Sequence, residues 1–159
     1  MATLAIPKQE QKQELEEVLE RAVDFHGHLG PFLVLGVRMG LIALRELDAK
    51  KDNPKLRVTV KTKLSVPFSC VIDGIQVSTK CTVGNRKLNL QSSPNEVSAK
   101  FQIQDGNTLT VTLNPAKREE LEKLLSEHPG FQEAESIARN VISTPESGLF
   151  KVEVKCPSL

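Results

Sequence analysis

The run from Pro31 to Leu44 is almost wholly apolar, with Arg38 as its only charged residue. Pro31 suits the first position of a helix, where its missing N–H is not needed. The run is too short to cross a bilayer, for which about 20 residues are required. We therefore predict a helix over 31–47 that is buried on all sides, either at the centre of the domain or shared with a second copy of the chain.

Hydrophobic periodicity predicts the remaining elements. Apolar residues at helical spacing indicate four further helices, over 8–24, 70–78, 115–127 and 132–143. Alternating apolar and polar residues predict strands over 56–64, 88–90, 97–103, 109–113 and 150–154. Helices and strands come in runs without a repeated βαβ unit. The predicted class is therefore α+β, with an antiparallel or mixed sheet packed against helices.

Length and charge narrow the classes of function. A chain of 159 residues predicts a single domain, with flexible tails at 1–8 and 155–159. The net charge of +1 gives no electrostatic basis for binding nucleic acid or a membrane surface. The polar start predicts no secretory leader, and the three cysteines include no CxxC pair. We therefore expect a cytoplasmic protein with reduced thiols.

Two histidines stand at the entrance to the apolar helix, in the segment His26-Gly27-His28. Gly27 permits backbone angles that can turn both rings toward one point. The positive end of the following helix favours anions and keeps His28 neutral, which is the form that binds metals. One ring capping the helix while the other is exposed is the alternative interpretation of the same pattern.

A second polar group lies further along the chain, in CVIDGIQVSTKC. Cys70 and Asp73 are three residues apart, so they share one face of the predicted helix. We expect the helix N-terminus to lower the pKa of the Cys70 thiol. If Cys81 folds back to the same side, two imidazoles and two thiolates would suit zinc. Asp73 would then be a ligand, an acceptor for a histidine N–H or a catalytic proton acceptor; otherwise both cysteines are ordinary core residues.

Both segments are similar to motifs of the FmdE-like family, whose members are related to formylmethanofuran dehydrogenase. FHGHLGPFLVLGVRMG at 25–40 resembles the family's HGHxCPG…G.R.G, and CVIDGIQVSTKCTVGNRKL at 70–88 resembles C..D.IQ..TGCT.GN..L. The resemblance covers most of residues 10–154. It implies an α+β core in a tight, intertwined dimer, and a cleft where His26, His28, Cys70, Asp73 and Cys81 meet around a transition metal.

The sequence departs from the family pattern in three places. Gly30 stands where the family has a cysteine, Phe32 replaces a glycine and would narrow the mouth of the cleft, and Lys80 replaces the glycine of TGC. The zinc-finger module that many relatives carry at the C-terminus does not follow within these 159 residues.

These observations predict a metal-binding FmdE-like protein related to accessory components of formylmethanofuran dehydrogenase. His26, His28, Cys70 and Cys81 are the predicted ligands, zinc is the expected metal, and Asp73 is the candidate proton acceptor. The expected ligand is small and anionic, because the positive end of a helix lies beside the metal. The alternatives are a non-catalytic scaffold or metal carrier in a larger oxidoreductase complex, and a small-ligand binder that holds no metal.

Overall fold

A computed structural model describes residues 6–157. The chain forms six helices and five strands within that range, in an α+β arrangement that confirms the predicted class. The helices are α1 Lys8–His26, α2 Pro31–Glu46, α3 Cys70–Thr79, α4 Pro115–Glu127, α5 Phe131–Ser143 and α6 Glu146–Leu149. The strands are β1 Leu56–Thr62, β2 Leu88–Ser92, β3 Ser98–Ile103, β4 Thr108–Leu113 and β5 Phe150–Lys155.

The five strands make one mixed sheet in the order β2-β1-β3-β4-β5. Strands β1 and β2 pair in parallel, since α3 carries the chain back between them, and the other neighbours pair antiparallel. Alternate residues along β1 and β4 are buried, as half-buried strands require. The sheet therefore turns one apolar face toward the helices.

Helix α2 lies at the centre of this core. Nearly all of its residues are buried, and Phe32 is among them, packed edge-on against Phe68 with ring centroids 5.2 Å apart. The prediction that Phe32 narrows the mouth of a cleft is therefore wrong. Of the two interpretations of the apolar run, burial within one chain accounts for the helix without a second copy.

Helices α2 and α3 touch through their backbones at two glycines. A Cβ atom at Gly36 would collide with the Val71 carbonyl, and one at Gly74 would collide with the Leu33 carbonyl. This close crossing fixes the start of α3 beside the start of α2. Because His28 lies just before α2, the crossing brings the two predicted motifs to the same end of the molecule.

Arg38 is the charged residue within the apolar run of α2, and it contacts α5. Its Nη1 donates to the Val141 carbonyl at 2.8 Å and also to that of Thr144, which satisfies carbonyls that the helix end leaves open. Two turns further along α2, Arg45 forms a bidentate pair with Glu146 of α6, at 2.6 and 2.9 Å. Both arginines therefore have structural roles.

The predicted boundaries agree with the observed ones to within about two residues at most ends. The short helix α6 has no counterpart among the predicted elements. Of the predicted tails, Lys8 begins α1 and Lys155 ends β5, while 1–5 and 158–159 lie outside the described residues. No helix within residues 6–157 combines the length and apolarity needed to cross a membrane.

Candidate functional site

The histidine segment turns sharply between α1 and α2. His26 is the last residue of α1, and Gly27 ends the helix in the left-handed region at φ 109°. A side chain at this φ would be strained, so glycine is the residue that allows the turn. The turn brings the rings of His26 and His28 into contact, with centroids 4.9 Å apart. The predicted convergence of the two imidazoles is confirmed.

His26 is held by Asp73 across the α1–α3 interface. Its Nδ1 lies 2.6 Å from Oδ2 of Asp73, and because a carboxylate only accepts, the Nδ1–H is the donor. Gln76 donates to the other carboxylate oxygen, at 3.3 Å. The proton on Nδ1 leaves the lone pair of the ring on Nε2. That atom is buried, and no group among residues 6–157 forms a hydrogen bond with it.

His28 is neutral near neutral pH, as predicted. Burial lowers its pKa below 6.5, and the nearby charge of His26 lowers it further. The causes are thus partial burial and a neighbouring ring, rather than the field of helix α2. A Cβ atom built at Gly30 would lie 3.7 Å from His28 Nε2 and contact no other residue. Position 30, where the family motif has a cysteine, therefore opens directly onto His28.

Cys70 begins α3, one helical turn before Asp73, and is buried. The predicted lowering of its pKa is wrong. Burial raises the pKa of the Cys70 thiol, and the negative charge of Asp73 raises it further, while a backbone hydrogen bond opposes both with a smaller effect. Without a bound cation, Cys70 is therefore a protonated thiol near neutral pH.

Cys81 follows the other end of α3 and is fully buried. Its Sγ lies 3.7 Å from the Leu56 carbonyl, and its N–H donates to the Thr79 hydroxyl at 3.1 Å. Burial raises the pKa of its thiol as well. The structure thus brings His26, His28 and Asp73 together, with Cys70 on the adjoining turn, and places Cys81 against β1 instead.

Exposed aromatic side chains surround the histidines, and sequence reasoning missed one of them. Phe131, the first residue of α5, packs edge-on against His28 with centroids 5.1 Å apart and is 74% exposed. Phe25, beside His26, is 62% exposed. The sequence held no indication that Phe131 would reach His28, because the contact depends on how α5 packs on α2.

The predicted set of four ligands is not assembled. Within residues 6–157, no group of three or more His, Cys, Asp or Glu side chains is placed to hold a metal ion. A surface depression of about 500 Å³ lies against strands β3 to β5, and none of the predicted ligands lines it.

The His26–Asp73 pair nevertheless has the arrangement of a metal-binding histidine. Ligating histidines donate their second ring N–H to a carboxylate or carbonyl, which fixes the tautomer and presents the other nitrogen to the metal. A buried ring nitrogen without a partner is otherwise costly. The same atom can act as a base, since the carboxylate would stabilise the protonated ring.

This fold and this histidine site place the chain in a known family. The profile of the FmdE family, described as "Molybdenum formylmethanofuran dehydrogenase operon", matches residues 25–151. The match covers well over half of the chain, and the chain therefore belongs to the FmdE family.

Two individual proteins are similar to it. A curated relative from Archaeoglobus fulgidus, named "Probable S-adenosyl-L-methionine-binding protein", is 39% identical over 77 residues, which is 48% of this chain and 21% of the relative. The chain thus matches about a fifth of that protein's length. A crystal structure of a tungsten formylmethanofuran dehydrogenase FmdE-like protein from Syntrophus aciditrophicus has a TM-score of 0.57 and 22% identity, covering 91% of this chain and 72% of that one. At this identity the likeness establishes the fold.

Proposed function

We propose that this chain is a metal-binding accessory protein of the formylmethanofuran dehydrogenase type, with its metal on His26. The observation that carries the proposal is the buried His26 Nε2, which has no partner among residues 6–157 while Asp73 holds Nδ1. The second piece of support is family membership, because the family is named after the operon of a molybdenum enzyme.

The ring of His28 and the thiol of Cys70 are the further ligands that we propose. His28 is neutral and in contact with His26, so its lone pair is available. Cys70 lies one turn from Asp73, the residue that holds His26. Two imidazole nitrogens and one thiolate suit zinc, and a fourth position stays open for water or a small anion. A metal with such a position supplies Lewis acidity or an activated water.

Each of the chain's own residues has a separate task in this proposal. Asp73 accepts the His26 Nδ1–H and thereby keeps the ring in one tautomer and one orientation. Cys70 must lose its proton on binding the metal, since its pKa is raised. Phe131 limits the movement of the His28 ring by packing against it. Asp73 thus orients His26 rather than contacting a substrate directly.

Elemental analysis of protein purified without a histidine tag tests the proposal. We expect close to one zinc ion per chain in the wild type and loss of that zinc in His28→Ala and in Cys70→Ala. Cys81→Ala is the matched control, because it removes a buried thiol at the other end of α3. Retention of zinc by both test variants, or its loss in Cys81→Ala alone, would contradict the proposed ligands.

A metal-free small-ligand binder is the second candidate function, and one observation favours it. No three potential ligands are placed around a common point within residues 6–157. In that case His26 Nε2 would bind an acidic group of the ligand or act as a base held by Asp73. Wild-type protein without stoichiometric metal, after incubation with zinc, would support this alternative.

The two remaining roles separate by activity. A scaffold or metal carrier of a larger oxidoreductase would bind metal yet show no turnover on its own. The name of the Archaeoglobus relative does not add S-adenosylmethionine to the proposal, because this chain covers 21% of that protein. Assays with and without bound zinc, on the isolated chain, distinguish a catalyst from an accessory protein.

A further inference from the structure

Strand β5 forms one edge of the sheet, and within residues 6–157 it pairs with β4 alone. The Asn114 amide donates to the Leu149 carbonyl at 2.8 Å, which fixes the side of the strand that faces β4. Backbone groups of alternate residues point to the same side in an antiparallel ladder. The residues whose N–H and C=O groups point outward from the sheet are therefore Phe150, Val152 and Val154.

The side chains of β5 extend the apolar face of the sheet past the helices. Val152 lies opposite Val111 and Val154 opposite Leu109, and both β4 residues are fully buried. The two β5 valines share that face but are 38% and 48% exposed. The edge thus combines unpaired backbone groups with uncovered apolar side chains, which is a surface suited to another strand.

Charge on the opposite face selects what that strand is. Lys151 and Glu153 are both exposed and form a pair within the strand, at 2.9 Å. When β5 pairs antiparallel with a second copy, outward residues must oppose outward residues. Registers centred on Lys151 or on Glu153 set like charges opposite each other across the two-fold axis. Centring on Val152 instead sets Lys151 of each copy opposite Glu153 of the other.

The register centred on Val152 also matches the apolar side chains. Phe150 of one copy then lies opposite Val154 of the other, and the two Val152 residues lie opposite each other. A register centred on Val154 also pairs opposite charges, but it uses only the second half of β5. We propose that two copies of this chain associate through β5 in the register centred on Val152, forming one continuous sheet of ten strands.

This surface is separate from the histidine site, so the proposal does not depend on metal binding. Lysines on an edge strand ordinarily discourage pairing. Here lysine and glutamate alternate in a pattern that self-pairing satisfies. One pair of strands is a small interface, and we therefore expect a dimer that dissociates on dilution in the micromolar range.

Sedimentation equilibrium of the full chain over a wide range of concentrations tests the association. We expect a monomer–dimer equilibrium in the wild type. Lys151→Glu and Glu153→Lys should each weaken the dimer about tenfold, because each sets two pairs of like charges opposite one another. The double swap, which reverses both charges, should restore the wild-type constant. A wild type that stays monomeric throughout, or single swaps without effect, would overturn the proposal.

Crosslinking tests the register. In a Cys156→Ser background, oxidised Val152→Cys should form a disulfide-linked dimer, since the two Cα atoms would lie about 5.5 Å apart. Val154→Cys should not crosslink, because Phe150 lies opposite it in this register. Efficient crosslinking through position 154 but not 152 would contradict the register. Val152→Pro should give a folded monomer by circular dichroism, since the N–H that it removes points away from β4; a folded dimer would contradict the interface.

Discussion

The two ends of helix α3 each hold a buried cysteine, yet their surroundings differ. At the C-terminal end, Cys81 and Thr79 satisfy each other and the neighbouring backbone: the Thr79 hydroxyl donates to the Ile75 carbonyl at 2.7 Å and accepts from the Cys81 amide. At the N-terminal end, beside Cys70, the His26 ring keeps a buried nitrogen that nothing in residues 6–157 contacts by a hydrogen bond. Buried thiols alone therefore do not define a site, whereas an oriented ring with an open nitrogen does.

The largest effect should come from removing the contact that positions both ends of α3. Gly74→Val would place a side chain against the backbone of α2, and we expect a loss of about 3 kcal/mol in the free energy of unfolding. Gly84→Ala is the control, because a Cβ there meets only the Thr82 hydroxyl, at 3.9 Å. Urea denaturation measures both variants, and equal stabilities would show that α2 and α3 tolerate separation.

His26→Ala should abolish zinc binding at the N-terminal end, with a loss of affinity of more than about 100-fold. The reason is that it removes both the open Nε2 and the group that Asp73 orients. Competition with a chelating dye measures the affinity. Cys81→Ala, at the satisfied end, should change the affinity little, and an equal loss in the two variants would contradict the distinction between the ends.

Asp73→Asn should weaken zinc binding by about 10- to 100-fold, the range found when the outer partner of a ligating histidine is removed. The amide keeps the shape of the side chain but lacks the charge that stabilises the Nδ1–H donor. Asp105→Asn, in the β3–β4 turn, serves as a control of the same chemistry. Unchanged affinity in Asp73→Asn would mean that the carboxylate does not act through His26.

Gly30→Cys should tighten zinc binding by about tenfold, because it adds a thiolate beside His28. The backbone of Gly30 is extended, with φ −139°, so a side chain is accommodated without strain. Gly30→Ser adds the same bulk without a thiolate and should leave the affinity near that of the wild type. Equal effects of serine and cysteine would show that position 30 does not face the metal.

The smallest effect concerns the pKa of His28 in the metal-free protein. NMR titration should give a value below 6.5, and His26→Ala should raise it, since the neighbouring charge is removed. Because the folded state disfavours protonation of His28, the free energy of unfolding should rise with pH between the lowered pKa and 6.5. Cys81→Ala should leave the titration unchanged. A His28 pKa that His26→Ala does not move would contradict the contact between the rings.

Periodicity predicts most of the elements, because the alternation of apolar residues is itself the cause of burial. Helix α6 escapes such a prediction because four residues after Pro145 are too few to show a period. The parallel pairing of β1 with β2 depends on the path of α3 over the sheet, which local patterns do not encode.

The predicted site is only partly assembled, for a physical reason that the sequence already holds. A helix over 70–78 separates Cys70 from Cys81 by about 15 Å along its axis, so the two thiols could meet only through a sharp return of the chain. The chain instead leads Cys81 toward Leu56. By contrast, the contact of His26 with Asp73 spans 47 positions and arises from the glycine crossing of α2 and α3, which no local pattern reveals.

X-ray absorption at the zinc edge of the loaded wild-type protein tests the central claim most directly. We expect two imidazole nitrogens at about 2.0 Å and one sulfur at about 2.3 Å around each zinc ion, with the same spectrum for Cys81→Ala. A spectrum without imidazole scattering, or one with two sulfurs that loses one of them in Cys81→Ala, would contradict a metal held by His26 at the N-terminal end of α3.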